Sequence, residues 1–192
     1  MKSMNVKDKR IWIDGMENKI TKQKYLGQTI WQKETDVYLA QDSDFVNVNG
    51  YWIYKGEPLE VDITDFVNSK KLTTTRYMFS GHSNYKATAV EKVVLGKSSV
   101  TNMRAMFYES QATNLDLSSF DTSNVTNTRS MFQNSQVISL DLSSFDASSV
   151  SNMDTMFAGS KATTGYAGTQ ADADNFNSTD GKPSGLVFVV KP

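Results

Sequence analysis

Apolar residues recur at a fixed period along the second half of the chain. A block of the form Val-Thr/Ser-Asn-x-x-x-Met-Phe begins at Val100, Val125 and Val150, so successive units start 25 residues apart. In the first unit the apolar side chains are spaced i, i+3, i+6 and i+7, which predicts the buried face of a short helix. A repeat of this period is typical of a solenoid, in which similar coils stack on one another.

The second half of each unit alternates between apolar and polar residues. Leu115-Asp116-Leu117 predicts a strand, and Phe120 is expected to return to the core. Each unit is thus predicted to contain a helix, a turn, a strand and a turn. An irregular unit begins at Leu72 and carries six extra residues around 84–89, which we expect to form a loop on one face. The predicted class is therefore an α/β solenoid of about four coils.

Stacked coils bring equivalent residues into columns. We expect two of these columns to fill the core, because thioethers pack well in the gaps beside aromatic rings. Their members are Met78, Met106, Met131 and Met156, and Phe79, Phe107, Phe132 and Phe157.

The chain before the repeats has the pattern of short strands. Residues 1–33 are predicted to form a small β attachment segment with a turn at Asp14-Gly15. Residues 34–71 contain a predicted β-hairpin, Phe45–Tyr54, around the favoured turn Asn49-Gly50, and are expected to form the N-terminal cap. Residues 72–192 then form the repeat domain, which ends in a capping region with a strand at Gly185–Val190.

The composition argues against several classes of function. The 20 basic and 21 acidic residues give a net charge of −1, so no overall field attracts nucleic acid or an anionic membrane. Cysteine is absent, which excludes disulfides and thiolate chemistry. No secretory signal or membrane-length apolar run is visible, so we expect synthesis in the cytoplasm.

No catalytic group, metal site or cofactor site is predicted. The single histidine, His82, aligns with serines of the other units and is interpreted as a turn residue. Asp42-Ser-Asp44 and Asp172-Ala-Asp174 begin like calcium loops, but Val46 and Phe176 stand where a third oxygen ligand is expected. Both segments are interpreted as solvated turns.

The outward positions of the predicted strands are the candidate binding residues. One column contains Val94, Asp116, Asp141 and Tyr166, and the next contains Ser118 and Ser143. Strands lie about 4.8 Å apart, so adjacent aspartates repel unless they are solvated, paired or bridged by a cation. This acidic strip is either a partner-binding surface or an ordinary solvated sheet face.

The repeat resembles a known family. The units Val-Thr-Asn-Met-x-x-Met-Phe and Leu-Asp-Leu-Ser-Ser-Phe-Asp-Thr-Ser-Asn are similar to BspA-like leucine-rich repeats of bacterial surface proteins, over residues 72–190. The resemblance implies a right-handed leucine-rich-repeat solenoid that serves adhesion or protein recognition and has no enzymatic activity.

A second resemblance lies near the start of the chain. The segment Lys19–Trp31 is similar to a short β segment of tail and baseplate proteins from phages of Gram-positive bacteria. Together the two resemblances imply a virion tail component that binds a host cell-wall glycan, a host surface protein or another virion subunit. A fragment of a bacterial adhesin and an intracellular phage protein that inhibits a host protein are the alternatives, and homo-oligomerisation is left open.

Overall fold

The computed structural model describes the backbone of residues 2–6, 9–13, 24–25, 28–29 and 37–192, and the side chains of residues 37–192. The chain divides into two compact units, Met1–Val37 and Tyr38–Pro192. The three segments predicted from the sequence, with boundaries after residues 33 and 71, stay a prediction.

Among its described residues, the first unit has two antiparallel pairs of short strands. β1 (Lys2–Val6) pairs with β2 (Lys9–Ile13), and β3 (Lys24–Tyr25) pairs with β4 (Gln28–Thr29). The predicted turn at Asp14-Gly15 lies outside the described residues.

The second unit contains eight strands and two short α-helices, besides a single 3₁₀ turn at Asp42–Asp44. In chain order these are β5 (Tyr38–Leu39), β6 (Phe45–Val48), β7 (Tyr51–Tyr54), β8 (Glu60–Asp62), α1 (Thr64–Ser69), β9 (Lys92–Val94), β10 (Ser139–Leu142), β11 (Thr164–Ala167), α2 (Gln170–Asn177) and β12 (Val187–Val190). Neither helix is long and apolar enough to cross a membrane.

Strands β6 and β7 form an antiparallel hairpin, with Phe45 opposite Tyr54. Asn49 and Gly50 both adopt left-handed backbone conformations, with φ values of 52° and 86°. Such a pair matches the twist of the flanking strands, and the Gly50 N–H donates to Asn47 Oδ1 at 3.1 Å. The hairpin predicted around Asn49-Gly50 is confirmed.

A parallel sheet lies next in the chain, with β8 between β5 and β9. Helix α1 follows β8 directly and buries Phe66. The Phe66 ring stacks on the Phe45 ring with centroids 3.7 Å apart, so the helix and the hairpin share one core.

The repeated blocks that were predicted to be helical form runs of turns. The Tyr108 N–H donates to the Ala105 carbonyl, three residues earlier, at 3.2 Å. The Phe107 N–H instead donates to the Met131 carbonyl of the next unit at 2.9 Å. An α-helix requires donation to the carbonyl four residues back, and alternate N–H groups here serve a neighbouring unit instead.

Left-handed residues interrupt each of these blocks and prevent a continuous helix. The first left-handed position of each block is occupied by Tyr77, Ala105, Ser130 or Thr155, and the second by Glu109, Asn134 or Gly159.

The predicted fold class is wrong. The expected strand at Leu115–Leu117 is reduced to a single bridge between Asp116 and Lys92, whereas the equivalent segments of the other units lie in the strands β9, β10 and β11. Both helices lie outside the four repeated blocks. Residues 38–192 form a small mixed α/β domain with three small sheets, and they contain neither a leucine-rich-repeat solenoid nor a closed sheet.

The predicted core columns are nevertheless buried, as expected from their apolar character. All four methionines and all four phenylalanines of these columns are at most 1% exposed. The rings of Phe107 and Phe132 stack with centroids 5.6 Å apart and an interplanar angle of 2°. The Thr75 hydroxyl also donates to Met106 Sδ at 3.3 Å, which satisfies this buried polar group.

The C-terminal sheet is parallel, with β11 between β10 and β12. Its outer strand, β12, lies within the predicted strand Gly185–Val190. Asn177, the last residue of α2, closes the free side of β12 with its side chain. Asn177 Nδ2 donates to the Phe188 carbonyl and Asn177 Oδ1 accepts from the Phe188 N–H, each at 2.9 Å. The edge strand therefore has its central peptide groups occupied.

Candidate functional site

Aromatic and basic side chains from three separate segments meet beside the first repeated block. Tyr51 begins β7, Arg76 and Tyr77 lie in the first run of turns, and Tyr85 lies in the six-residue insertion. We call these four residues the tyrosine–arginine cluster. All four are half-buried.

Stacking and hydrogen bonds fix the geometry of the cluster. The rings of Tyr77 and Tyr85 stack with centroids 4.3 Å apart and an interplanar angle of 17°. Arg76 Nη1 donates to the Tyr51 hydroxyl at 2.8 Å, and Arg76 Nη2 donates to the Tyr77 hydroxyl at 3.2 Å. The guanidinium carbon also lies 4.9 and 4.8 Å from the Tyr51 and Tyr77 ring centroids, within cation–π range.

The insertion that carries Tyr85 is held against the domain by hydrogen bonds to its backbone groups. Lys55 Nζ donates to the carbonyls of Tyr85 and Lys86, the latter at 2.7 Å. The Tyr85 N–H donates to the His82 carbonyl at 2.8 Å. Burial, together with the neighbouring Lys86 charge, lowers the pKa of Lys55. The loop is thus a fixed part of the surface.

Two further rings border the cluster. His82 lies in a turn, and its ring centroid is 6.0 Å from that of Tyr85 and 5.8 Å from that of Tyr108. His82 Nδ1 accepts a hydrogen bond from the Asn84 N–H at 3.3 Å. Burial is the main cause that raises the pKa of both Tyr85 and Tyr108, so both phenols stay neutral at physiological pH.

The acidic strip predicted from the sequence is only partly continuous. Asp141 lies opposite Tyr166 in the register of β10 and β11, as the column requires. Asp116 instead pairs with Lys92, and Val94 lies opposite Asp62. The expected alignment of Val94 with Asp116 is wrong, because the irregular first unit shifts the register by two residues.

Lysines neutralise both aspartates of the strip. Lys92 Nζ lies 3.5 Å from Asp116 Oδ2, and Lys191 Nζ lies 2.5 Å from Asp141 Oδ2. The second oxygen of each carboxylate accepts a backbone N–H, from Ser118 at 2.9 Å and from Ser143 at 3.1 Å.

These contacts lower the pKa of both carboxyl groups. For Asp116 the hydrogen bond with Ser118 is the largest cause. For Asp141 partial burial acts to raise the pKa, but the hydrogen bonds from Lys191 and Ser143 outweigh it. Both aspartates are therefore ionised and paired, and the role of the strip in binding stays a prediction.

Ser143 also lines an open hollow of about 550 Å³ at the start of α2. The hollow is bordered by the serines of the β10 turn and by Thr169 and Asn175. Asp172 also lines the hollow; its Oδ1 accepts the Ala147 N–H at 3.0 Å and its Oδ2 accepts the Thr169 hydroxyl at 2.6 Å. Asp172 is thus a buried structural carboxylate within α2, and the interpretation of Asp172–Asp174 as a solvated turn is wrong.

The other acidic segment likewise has partners within the domain. Asp42 Oδ2 lies 2.6 Å from Lys70 Nζ, and Asp44 Oδ2 accepts the Gln41 N–H at 2.7 Å. Within the described residues, no group of three or more histidines and acidic residues is placed to hold a metal ion.

Together these features define a small mixed α/β domain with repeated turns and a preformed tyrosine–arginine surface. The chain belongs to the family described as "Mycoplasma protein of unknown function, DUF285", whose model matches residues 52–169. No curated protein and no solved structure matches the chain.

The family match corrects the resemblances inferred from the sequence. The matching model is not that of the BspA-like leucine-rich repeats, so that assignment is wrong. No match to a phage tail or baseplate protein supports the resemblance of Lys19–Trp31 either. The matched region, residues 52–169, spans all four repeated blocks.

The tyrosine–arginine cluster was not predicted from the sequence. Its one visible signal is the insertion at 84–89, which contains Tyr85 and interrupts an otherwise regular repeat. A loop inserted on one face of a repeat array is a common place for binding residues. The partners Tyr51 and Arg76 carry no such signal.

Proposed function

We propose that this chain is a non-enzymatic recognition protein that binds a partner protein through the tyrosine–arginine cluster. The observation that carries the proposal is the Tyr77–Tyr85 stack at 4.3 Å, with Arg76 bonded to two tyrosine hydroxyls. Tyrosine and arginine are enriched at the energetic centres of protein interfaces, because both combine a large apolar surface with hydrogen-bonding groups.

The rigidity of the cluster supports the same function. Binding is weakened when side chains and loops lose conformational freedom on association. The insertion is already held by Lys55, and the rings already pack against one another. A partner therefore binds a preformed surface, and few side chains of the cluster lose conformational freedom on binding.

The surroundings of His82 favour binding over acid–base chemistry. Its Nδ1 accepts from a backbone N–H, and its nearest aromatic neighbours are two neutral phenols. Burial is the main cause that raises the pKa of those phenols, so the phenolate that could act as a general base is scarcely populated at neutral pH.

The setting of this recognition stays a prediction. The virion, the bacterial surface and the host cytoplasm all remain as predicted locations. Host cell-wall glycan, a host surface protein and virion subunits remain as predicted partners. In each of these settings the chain provides a binding surface, and binding is the part of the function that we propose.

A comparison of surface variants tests the proposal. Lysate of the source cell is passed over the immobilised parent, a Tyr85→Ala variant and an Asp116→Asn/Asp141→Asn variant, and bound proteins are quantified by mass spectrometry. We expect a protein retained by the parent and by the double variant to be lost with Tyr85→Ala. Truncation of a central interface tyrosine weakens binding by about 2 kcal/mol or more, which is roughly thirtyfold.

Tyr38→Ala provides the matched control, because it removes a half-buried tyrosine of β5 that belongs to neither the cluster nor the acidic strip. Retention that is equal for Tyr85→Ala and Tyr38→Ala contradicts the proposal. Loss with the aspartate variant alone assigns binding to the acidic strip instead.

A further inference from the structure

Arginines occupy equivalent positions in three successive repeated blocks. These are Arg76, Arg104 and Arg129, and the fourth block has Asp154 at this position. Parallel bridges join residues two positions earlier, from Thr74 to Asn102, from Asn102 to Asn127 and from Asn127 to Asn152. We call Arg76, Arg104 and Arg129 the arginine column.

The backbone of the column is in register from block to block. The Arg104 and Arg129 N–H groups each donate to the side-chain oxygen of the asparagine two residues before, at 3.0 Å. The Ala105 N–H donates to the Arg129 carbonyl at 2.9 Å. In-register neighbours on parallel segments project their side chains from the same face.

Positive charge in the column exceeds the negative charge that faces it. Arg129 Nη1 lies 3.7 Å from Asp154 Oδ2. Arg104 forms no salt bridge within the described residues, and its buried Nε has no hydrogen-bond partner there. Arg76 donates to the hydroxyls of Tyr51 and Tyr77 rather than to a carboxylate.

Like charges on adjacent segments destabilise a free domain, and an anionic partner removes that repulsion. We propose that the arginine column binds an extended acidic segment of the partner protein, which rests on the function proposed above. Guanidinium groups bind carboxylates through two parallel hydrogen bonds.

The spacing of the column suits an extended peptide laid across the blocks. Equivalent phenylalanine rings of neighbouring blocks lie 5.5 to 6.0 Å apart. Alternate side chains of an extended strand lie about 6.6 Å apart, so successive carboxylates come within reach of successive arginine side chains. The adjoining tyrosine–arginine cluster supplies apolar surface for the rest of the segment.

A labelled peptide in which glutamate alternates with serine provides the test, with binding followed by fluorescence anisotropy. We expect the parent to bind this peptide, and a peptide with glutamine in place of glutamate to bind far more weakly. Arg104→Gln is expected to raise the Kd by about tenfold or more, because a hydrogen-bonded charge contact is lost. Added salt should weaken binding to the parent.

Lys161→Gln is the control, since it removes the same charge from an exposed residue outside the column. It should leave the Kd within about twofold. The melting temperature of Arg104→Gln should equal or exceed that of the parent, which shows that weaker binding does not come from unfolding.

Three outcomes would overturn the inference. These are an absence of binding to the glutamate peptide, equal Kd values for the parent and Arg104→Gln, and tighter binding of inorganic polyphosphate than of the peptide. If Tyr85→Ala loses its partner while Arg104→Gln retains it, the recognition function is supported and the proposed binding of an acidic segment is rejected. If the peptide binds through Arg104 while Tyr85→Ala changes no partner, the anion site stands and the tyrosine-based function fails.

Discussion

Single residues in left-handed conformations set the path of the repeated blocks. Equivalent positions are occupied by Glu109 at φ 57°, Asn134 at φ 58° and Gly159 at φ 66°. Asparagine and glycine tolerate this conformation, whereas a longer side chain loses about 1 kcal/mol there. Glu109 is therefore the strained member of the set.

We predict that Glu109→Asn increases the free energy of unfolding by roughly 0.5–1 kcal/mol, because asparagine relieves this strain. Urea denaturation measures the difference. The reverse change in the next block, Asn134→Glu, should decrease the free energy of unfolding by a similar amount. A less stable Glu109→Asn variant would show that the side-chain interactions of Glu109 outweigh the backbone strain.

At the scale of elements, a ladder of phenylalanine rings joins neighbouring blocks. The Phe132 ring lies 5.6 Å from the Phe107 ring and 6.0 Å from the Phe157 ring, nearly parallel to both. Its side chain is fully buried. Removing this ring leaves a cavity between two blocks.

We predict that Phe132→Ala lowers the free energy of unfolding by about 3–5 kcal/mol, through lost burial and the remaining cavity. A thermal melt checks the change against the parent. Ile138→Ala is the control, because Ile138 is 54% exposed, and its effect should stay within about 0.5 kcal/mol. An unchanged melting temperature for Phe132→Ala would contradict a large contribution of the phenylalanine ladder to stability.

The burial of these rings could be predicted from the sequence, but the helices could not be excluded. Burial depends on which positions are apolar, and that pattern is visible. Whether the Phe107 N–H bonds within its block or to Met131 depends on the neighbouring block, which local periodicity does not describe. Ala105 and Thr155 adopt left-handed conformations, but neither is a glycine, so the sequence gives no sign of a turn there. The apolar pattern of a run of turns was therefore indistinguishable from that of a helix.

Similar reasons limited the prediction of the site. The regular period placed Asp141 beside Tyr166, because both lie in regular units. The ion pair of Asp141 with Lys191 joins residues 50 positions apart and has no signal in the repeat. The tyrosine–arginine cluster likewise joins a hairpin, a block and an insertion, and only the tertiary fold brings these segments together.

At the scale of the whole molecule, the C-terminal sheet ends at an edge that is closed by a side chain. The Asn177 amide bonds both peptide groups of Phe188, and exposed valines flank this residue on β12. An edge strand with free N–H and C=O groups can pair with another chain. Asn177 therefore limits association at this edge.

We predict that Asn177→Ala self-associates at concentrations at which the parent does not, because the freed peptide groups of Phe188 accept a strand from a second copy. Light scattering across a concentration series measures this. Asn175→Ala truncates the same side-chain type on the same helix and should behave like the parent. Equal scattering from Asn177→Ala and Asn175→Ala would contradict the role of the amide at the edge.

The Asn177–Phe188 contact also bears on the order in which the domain folds. It closes a loop of only eleven residues, whereas β10 and β11 pair residues 25 positions apart. Shorter loops lose less chain entropy on closure, so contacts of low sequence separation tend to form early. The C-terminal sheet should therefore assemble from its outer edge inward, with α2 and β12 as the seed onto which β11 and then β10 are added.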